Sequence, residues 1–177
     1  MEFKNIETQR LILRLINRED TEDFFELDSN PNVHIFLGNK PVKMIEESEA
    51  MIANILQQYK TNGVGRLAII EKHTNAFIGW AGLKYEEVLR KEFNYYDIGY
   101  RLKEQFWGKG YATEAAMASL EYGFNNLKLR EIGAAADVKH SASNAILKKI
   151  GMQPSGTFEY EGVLCNWYLK QKPFNQL

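Results

Sequence analysis

Alternating and helically spaced hydrophobic residues divide the chain into strands and helices. Alternating side chains predict strands at 11–15, 96–102 and 132–138, and two further strands are predicted at 66–71 and 76–83. Apolar residues three and four positions apart predict helices at 46–62, from about 112 to 127 and from about 142 to 150. An earlier helix, with Asn17 as its N-cap, is predicted to run through Phe24 and Leu27. Residues 157–170 are predicted to form two strands around Gly162.

Turn residues separate these elements and favour one architecture. His73-Thr74-Asn75 is predicted to form a hairpin turn between two strands, and Gly63 to end the long helix in a left-handed conformation. No linker rich in proline, glycine or serine divides residues 1–177, so a single domain is expected. The order of elements predicts a mixed α/β fold with a central, largely antiparallel sheet of about seven strands and about four helices packed on it.

Composition and charge exclude several classes of protein. The 177 residues carry a formal net charge of -1, so nonspecific binding of nucleic acid is not expected. Cys165 is the only cysteine, and His34, His73 and His140 lack the spacing of metal ligands, so neither a disulfide framework nor a metal site is expected. No apolar run approaches membrane-spanning length, and the first residues lack the apolar stretch of a signal peptide. These features predict a cytoplasmic protein without a membrane or nucleic-acid partner.

The strand that ends at Leu102 leads through a glycine-containing loop into a helix. Gly108 and Gly110 have no Cβ atoms, so a phosphate can approach their backbone closely. The first N–H groups of the helix lack intrahelical partners, and the macrodipole places positive partial charge there. A pyrophosphate site is therefore predicted, although the same glycines also suit a tight turn. A Walker loop is excluded because Lys109 is followed by Gly110, and a Rossmann fingerprint because position 113 is Thr113.

Four segments, in the same order along the chain, resemble the GCN5-related N-acetyltransferases, abbreviated GNAT. Gln105-Phe106-Trp107-Gly108-Lys109-Gly110 matches the family pattern Gln/Arg-x-x-Gly-x-Gly/Ala. Residues 8–14 are similar to the opening strand of the family and residues 143–152 to its last-helix motif. Residues 97–102 and 106–115 look like the ribosomal-protein-alanine acetyltransferase subgroup, which also includes many small-molecule acetyltransferases. The resemblance covers nearly the whole chain.

The resemblance implies a GNAT-like domain whose sheet is splayed at an acetyl-coenzyme A site. Gln105, Gly108 and Gly110 are expected to hold the pyrophosphate. The strand around Gly99 is expected to pair with the pantetheine amides and to offer a backbone N–H to the oxyanion, across a gap from the strand at 132–138. The residues expected to contact acetyl-coenzyme A are Ile98, Gly99, Tyr100, Gln105, Phe106, Trp107, Gly108, Lys109, Gly110, Tyr111, Ala112, Ser143 and Asn144.

The expected reaction is direct attack of a primary amine on the thioester within a ternary complex. Ser143 is expected to donate a hydrogen bond or proton to the leaving thiolate, with a local hydrogen bond at the helix start as the alternative role. The resemblance, which implies a carboxylate in the C-terminal strand region, makes Glu161 the first candidate for the general base, and its carboxylate is expected to be partly desolvated at the turn between the last two strands. Glu159, Glu86 and Glu87 are the other candidates, and each also fits a solvated surface charge.

Two positions depart from the family pattern. His140 stands where relatives often have asparagine, and Leu147 stands where many carry a tyrosine that can protonate the thiolate. The expected activity is N-acetyl transfer to a primary amine, with a protein N-terminus as one acceptor. A small molecule, such as an antibiotic, a polyamine or an amino acid, is the alternative acceptor, and a noncatalytic acetyl-coenzyme A sensor is the alternative class. A homodimer is one expected assembly.

Overall fold

A computed structural model describes residues 3–172. Its strands are β1 (Ile6–Glu7), β2 (Leu11–Leu15), β3 (Arg66–Glu71), β4 (Phe77–Glu86), β5 (Tyr95–Leu102), β6 (Glu131–Asp137), β7 (Gln153–Tyr160) and β8 (Val163–Gln171). Its helices are α1 (Thr21–Ser29), α2 (Ile45–Asn62), α3 (Tyr111–Asn125) and α4 (Ser141–Lys149). The predicted strands and helices are therefore present, with bounds that differ by a few residues.

The eight strands form one sheet in the order β1-β2-β3-β4-β5-β6-β8-β7. Neighbouring strands are antiparallel except β5 and β6, which confirms the largely antiparallel mixed sheet. The sheet has eight strands rather than about seven because the two-residue strand β1 pairs with β2. Two residues are too few to produce a recognisable alternation of apolar and polar positions.

β5 and β6 are paired over only a small part of their length. β4 pairs with β5 from Gly79–Leu102 to Glu86–Tyr95. Between β5 and β6, by contrast, the described residues share one register position, Asp97–Gly133. The half of β5 that follows Asp97 therefore has an edge that β6 does not cover, and the expected splay of the sheet is present at this gap.

Helices cover both faces of the sheet. On the first face, called the α1–α2 face, Phe24 of α1 packs with Ile70 of β3. On the second, called the α3–α4 face, Leu120 of α3 and Leu147 of α4 pack with Ile98 of β5. Because side chains alternate along a strand, the residues on either side of Ile98 point to the α1–α2 face. From residue 3 to residue 172, no helix combines the length and the apolar character that crossing a membrane requires.

Local capping explains how α1 begins and how α2 ends. The Asn17 side chain accepts a hydrogen bond from the backbone of Glu19 at 2.8 Å, and the Asn17 backbone donates to Asp20 at 2.9 Å. This reciprocal capping belongs to a short 3-10 turn, so α1 itself begins only at Thr21 and not directly after Asn17 as predicted. Gly63 ends α2 with a φ angle of 67°, as predicted.

Candidate active site

The loop between β5 and α3 has the open backbone that a pyrophosphate site requires. Gly108 and Gly110 have φ angles of 72° and 81°, in the region that glycine adopts without strain. Gly110 is the N-cap of α3, so the N–H groups of Tyr111 and Ala112, at the start of the helix, lie beside the loop without intrahelical partners. A Cβ atom added to Gly108 would meet nothing within 4 Å. These features fit a pyrophosphate held by backbone N–H groups.

An ion pair that the sequence analysis missed holds this loop against β2. The backbone and the Nε of Arg10 donate to the Glu114 carboxylate at 2.9 and 2.7 Å, and Arg10 Nη1 donates to Lys109 O at 2.9 Å. The Thr8 hydroxyl donates to the same carboxylate at 2.6 Å. The guanidinium also lies 4.4 Å from the centroid of the Tyr111 ring. The signal was available, because these residues belong to the two motifs that resemble the GNAT family.

The other side chains of the loop mostly stabilise it. Trp107 Nε1 donates to Leu102 O at 2.8 Å, and Lys109 Nζ lies 5.4 Å from the centroid of the Phe106 ring. Gln105 is exposed and lines a cavity of about 290 Å³ beside the loop. Contacts of these residues with acetyl-coenzyme A stay predictions. For Trp107 and Phe106, the observed contacts are those of residues that anchor the loop.

The open edge of β5 lies beside a buried ion pair on the α1–α2 face. The Arg66 guanidinium lies 2.7 Å from the position that a Cβ atom of Gly99 would take. Arg66 pairs with the Asp97 carboxylate, and both side chains are largely buried. Any larger residue at position 99 would displace this pair, so Gly99 is required for packing. The expected pairing of the backbone around Ile98, Gly99 and Tyr100 with the pantetheine amides stays a prediction.

Two hydroxyl groups meet across the gap between β5 and α4. The Tyr100 hydroxyl lies 3.1 Å from Ser143 O and 3.2 Å from Ser143 Oγ. Burial raises the pKa of Tyr100 to about 12, although its hydrogen bond with Ser143 acts in the opposite direction. Tyr100 is therefore a neutral hydrogen-bond donor at physiological pH. Leu147, at the position where many relatives carry tyrosine, is 2% exposed and packs in the core.

Asn144 fixes the start of α4 to the sheet. Its Nδ2 donates to Asp137 O and His140 O, both at 2.8 Å. Its Oδ1 accepts hydrogen bonds from Asn166 and Tyr168, both at 2.7 Å. These bonds use both protons of the side-chain amide and both acceptor positions of its oxygen. The side chain of Asn144 is therefore fully hydrogen-bonded. A contact of Asn144 with acetyl-coenzyme A would involve its backbone, and that contact stays a prediction.

The segment between α1 and α2 borders the gap from the phosphate loop to α4. At one end, Asn32 Nδ2 donates to Glu104 at 3.0 Å. At the other, the rings of Phe36 and His140 stack with centroids 4.3 Å apart and planes inclined by 19°. His140 is the N-cap of α4 and accepts a long hydrogen bond, 3.5 Å, from the backbone of Ser143. The departure at His140 thus gives the helix a cap that also contacts the neighbouring segment.

The candidates for the general base differ sharply in their surroundings. Glu161 and Gly162 form the turn between β7 and β8 with φ angles of 47° and 78°, the signs of a type I′ hairpin turn. Glu161 is exposed, so the expectation that its carboxylate is partly desolvated is wrong, because it stands at the tip of a hairpin. Glu159 and Glu87 are exposed as well, whereas Glu86 is buried.

Glu86 serves to end β4. Its carboxylate accepts hydrogen bonds from the backbone of Val88 at 2.9 Å and of Leu89 at 3.1 Å, and it pairs with Lys84 at 2.5 Å. Burial by itself would raise the pKa of Glu86, but hydrogen bonds from Lys84 and from the backbone of Val88 outweigh it and hold the pKa below its usual range. Glu86 is therefore ionised at neutral pH with its oxygen atoms engaged.

The splayed sheet, the glycine loop at a helix N-terminus and the serine hydroxyl across the gap define a coenzyme A-dependent acyltransferase. Residues 10–153 match the family model of the acetyltransferase (GNAT) domain. The chain therefore belongs to the GNAT family, and it is an acetyl-coenzyme A-dependent N-acetyltransferase.

Relatives with this fold cover almost the whole chain. The N-acetyltransferase YoaA of Bacillus subtilis is 33% identical over 154 residues, which are 87% of this chain and 85% of that protein. A GNAT-family acetyltransferase from Bacillus anthracis superposes with a TM-score of 0.77 at 25% identity, over 95% of this chain and 98% of that one. RimL, a ribosomal L7/L12 alpha-N-protein acetyltransferase solved with coenzyme A, superposes with a TM-score of 0.81 at 21% identity, over 95% and 98%. At that identity, the likeness to RimL shows the fold alone.

Proposed function

We propose that this N-acetyltransferase modifies the α-amine of a polypeptide N-terminus. The observation that carries the proposal is the kind of base that the site offers, because Glu161 is exposed and Glu86 is ionised and engaged. An α-amine has a pKa of about 8, against about 10.4 for a lysine amine. A useful fraction of α-amine is therefore neutral at physiological pH without a strongly desolvated base. The activity that the name of RimL describes supports the same class of acceptor.

In this proposal the chain orients both substrates and handles two protons. Acetyl-coenzyme A supplies the thioester carbonyl, and the loop around Gly108 and Gly110 holds its pyrophosphate. A backbone N–H on β5 stabilises the negative charge that develops on the carbonyl oxygen. Glu161 accepts the proton of the amine, directly or through a water molecule. Cys165 takes no part as a nucleophile, because it is buried and burial raises the pKa of its thiol.

Ser143 and Tyr100 act together on the sulfur side of the reaction. When Tyr100 donates to Ser143 Oγ, the proton of Ser143 is free for the leaving thiolate. When Tyr100 donates to the backbone Ser143 O instead, Ser143 Oγ loses the hydrogen bond from Tyr100 that would make its own proton more acidic. Hydrogen bonds to charged groups contribute about 1.5–3 kcal/mol, so the pair supports turnover mainly as the thiolate forms.

A peptide panel tests the class of acceptor. Peptides with a free α-amine, the same peptides with an N-formyl group, spermidine and an aminoglycoside are assayed for release of free coenzyme A, and mass spectrometry locates the acetyl group. We expect release with the free peptides and acetylation at the α-amine. Faster turnover of a small amine than of any peptide would contradict the proposed acceptor. Binding of acetyl-coenzyme A without thiol release for any amine would identify a sensor.

Substitutions at the hydroxyl pair test the roles of its two members. We expect Ser143→Ala and Tyr100→Phe to lower kcat by about tenfold or more, while acetyl-coenzyme A still raises the melting temperature as it does in the wild type. Ser141→Ala, two positions earlier in the same helix and exposed, serves as the matched control and should keep wild-type kcat. Wild-type turnover in Ser143→Ala would leave Ser143 with its local role at the helix start.

A further inference from the structure

Three aromatic rings surround the guanidinium of Arg90. Arg90 Cζ lies 4.8 Å from the ring centroid of Phe93, 4.7 Å from that of Phe158 and 5.0 Å from that of Trp167. The planes of Phe93 and Phe158 are inclined by 60° and 80° to the plane of Trp167, so the rings stand as separate walls. Cations within about 6 Å of a ring centroid are attracted to its face. We call these three rings the aromatic cage.

The aromatic cage lies beside the point where β5 and β6 meet. Trp167 pairs with Ala135 of β6, and its ring covers Gly133, where any Cβ atom would overlap it. The Tyr95 ring packs edge-on against Trp167 with centroids 4.6 Å apart. Gly133 is also the residue that pairs with Asp97 of β5 at the closed end of the gap. Tyr95 and Asp97 point to the α1–α2 face, so the aromatic cage stands on that face next to the end of the gap.

Arg90 is held in the aromatic cage by little besides the rings. It belongs to the loop 87–94 between β4 and β5, and its carboxylate partner is Glu92 at 3.1 Å, whose side chain is 64% exposed. The Arg90 side chain is only 15% exposed, because the rings shield it, whereas its carboxylate partner stays in water. An ion pair with one exposed partner contributes little to stability. Phe93 is 43% exposed, so one wall of the aromatic cage faces solvent. A guanidinium thus fits between the rings. The guanidinium that occupies this place belongs to the loop residue Arg90, which can move away without disrupting a strand.

Negative charge near the aromatic cage favours a positively charged ligand. On β7, Phe158 is followed closely by Tyr160 and the turn residue Glu161. The turn at Glu161 and Gly162 therefore places the Glu161 carboxylate at the same end of β7 as the Phe158 ring. The candidate base and the aromatic cage therefore border the same approach to the gap.

We propose that the aromatic cage binds a second cationic group of the acceptor, a guanidinium or alkylammonium group separate from the amine that is acetylated, and that Arg90 leaves when this group enters. The inference rests on the proposed function, and it narrows the acceptor to a polypeptide whose N-terminus is followed within a few residues by arginine or lysine. Replacing one guanidinium by another keeps the cation–π contacts, whereas a neutral side chain would forfeit them. Selectivity therefore arises from charge at a distance from the reacting amine.

Matched peptides test the aromatic cage. Each peptide has a free α-amine and carries either arginine or its neutral analogue citrulline at the second, third or fourth position. We expect the wild-type kcat/KM to be about tenfold higher for the best arginine peptide than for its citrulline partner. Phe93→Leu and Phe158→Leu keep apolar bulk but remove a ring, so the ratio should fall toward one. Arg90→Ala removes the internal competitor and should lower KM for the arginine peptide alone.

Two kinetic results would overturn the proposal. Equal kcat/KM for arginine and citrulline peptides in both the wild type and Arg90→Ala would show that the aromatic cage does not distinguish a charged side chain from a neutral one. Acetylation of both peptides would still support the proposed function. A rise in KM for both peptides in Arg90→Ala would show that Arg90 only anchors its loop. Preference for agmatine, a small guanidinium amine, over every arginine peptide would overturn the assignment to a polypeptide.

A binding measurement separates this inference from the proposed function. Arginine amide is titrated into Arg90→Ala while tryptophan fluorescence is recorded, with Arg90→Ala/Trp167→Phe as the control for the signals of Trp80 and Trp107. We expect a saturable change that the control lacks. If that change occurs but no peptide is acetylated, the aromatic cage stands and the proposed acceptor is wrong. If it is absent, the aromatic cage is not a cation site.

Discussion

Glu161 occupies a backbone conformation that glutamate seldom adopts. Its φ angle of 47° lies in the left-handed region, which costs a residue other than glycine roughly 1–2 kcal/mol. Type I′ turns favour Asn-Gly over Glu-Gly, so local stability does not explain this residue. Strained backbone conformations cluster at functional sites, which supports the proposed role of the Glu161 side chain.

We expect Glu161→Gly to separate the stability of the protein from its activity. The change relieves the strained backbone, so the free energy of unfolding should rise by roughly 1 kcal/mol, while removal of the carboxylate lowers kcat/KM at neutral pH. Glu161→Gln keeps the strain and should lose only activity. Both losses should shrink at higher pH, where the amine is neutral without a base. Urea unfolding and pH–rate profiles give the two readouts. Wild-type rates in both variants would exclude Glu161 as the general base and leave Glu159 and Glu87 as candidates.

The sequence identifies the residues of the site that act through local backbone geometry. The open glycine loop at Gly108 and Gly110 before a helix could be predicted from the sequence, and its contact with a pyrophosphate stays a prediction. The contact between Tyr100 and Ser143 could not, because the two residues are 43 positions apart and meet only through the splay of the sheet. Glu161 was assigned by resemblance, and its exposure depends on how far the hairpin extends, which no residue pattern specifies.

Among the secondary-structure elements, those with a clear period were predictable. The side chains at 96–102 alternate between apolar and polar or small residues, those at 132–138 alternate less clearly, and α2 shows an apolar stripe with glycine at its end. β1 has two residues and no period, and the 3-10 turn before α1 shares its capping residues with an ordinary helix start. The strand order β6-β8-β7 could not be predicted from the sequence pattern either, because it depends on which strands pair across the sheet.

The phosphate loop can be tested as an element with Gly63 as a matched control. Gly108 and Gly63 have φ angles of 72° and 67°, and a Cβ atom at either would meet nothing within 4 Å. Valine at either position should therefore cost similar stability. We expect Gly108→Val to lose the rise in melting temperature that acetyl-coenzyme A produces, which corresponds to about 2.7 kcal/mol at a concentration 100 times Kd. Gly63→Val should keep it, and a rise retained in Gly108→Val would contradict the assigned phosphate site.

Across the whole molecule, the buried His34 and the half-buried His140 link the packing of separate elements to protonation. His34 is 6% exposed and lies 3.5 Å from Asp28, at the limit of a hydrogen bond, while Arg101 of β5 pairs with the same carboxylate. Burial, reinforced by the positive charge of Arg101, lowers the pKa of His34, although Asp28 opposes the shift. Burial also lowers the pKa of His140, which Asp137 opposes. Both histidines are therefore held neutral in the folded state.

We expect the free energy of unfolding to fall as the pH drops below about 6.5, the pKa of histidine in an unfolded chain. In that range the unfolded state binds protons that the folded state resists, so protonation favours unfolding. The contribution is complete above this pH and is lost as the pH falls toward the lowered pKa values of the folded state. Urea unfolding at pH 5.5 and 7.5 measures it.

Substitutions assign this pH dependence to particular histidines. His34→Gln and His140→Gln should each flatten it. His73→Gln, on an exposed turn between β3 and β4, should leave it unchanged. An identical slope in the wild type, His34→Gln and His140→Gln would exclude these two histidines as its cause.

The limited pairing of β5 with β6, one register position among residues 3–172, also affects how long each copy of the enzyme survives. Without a ligand in the gap, the molecule carries an unpaired strand edge inside its own sheet, and such edges invite aggregation. Acetyl-coenzyme A would fill that edge much as a missing strand does, and only the folded state can bind it. Proteases and chaperones act on molecules that open. A larger supply of acetyl-coenzyme A would therefore slow the degradation of the enzyme. Starvation would then lower the amount of the enzyme as well as the amount of its substrate.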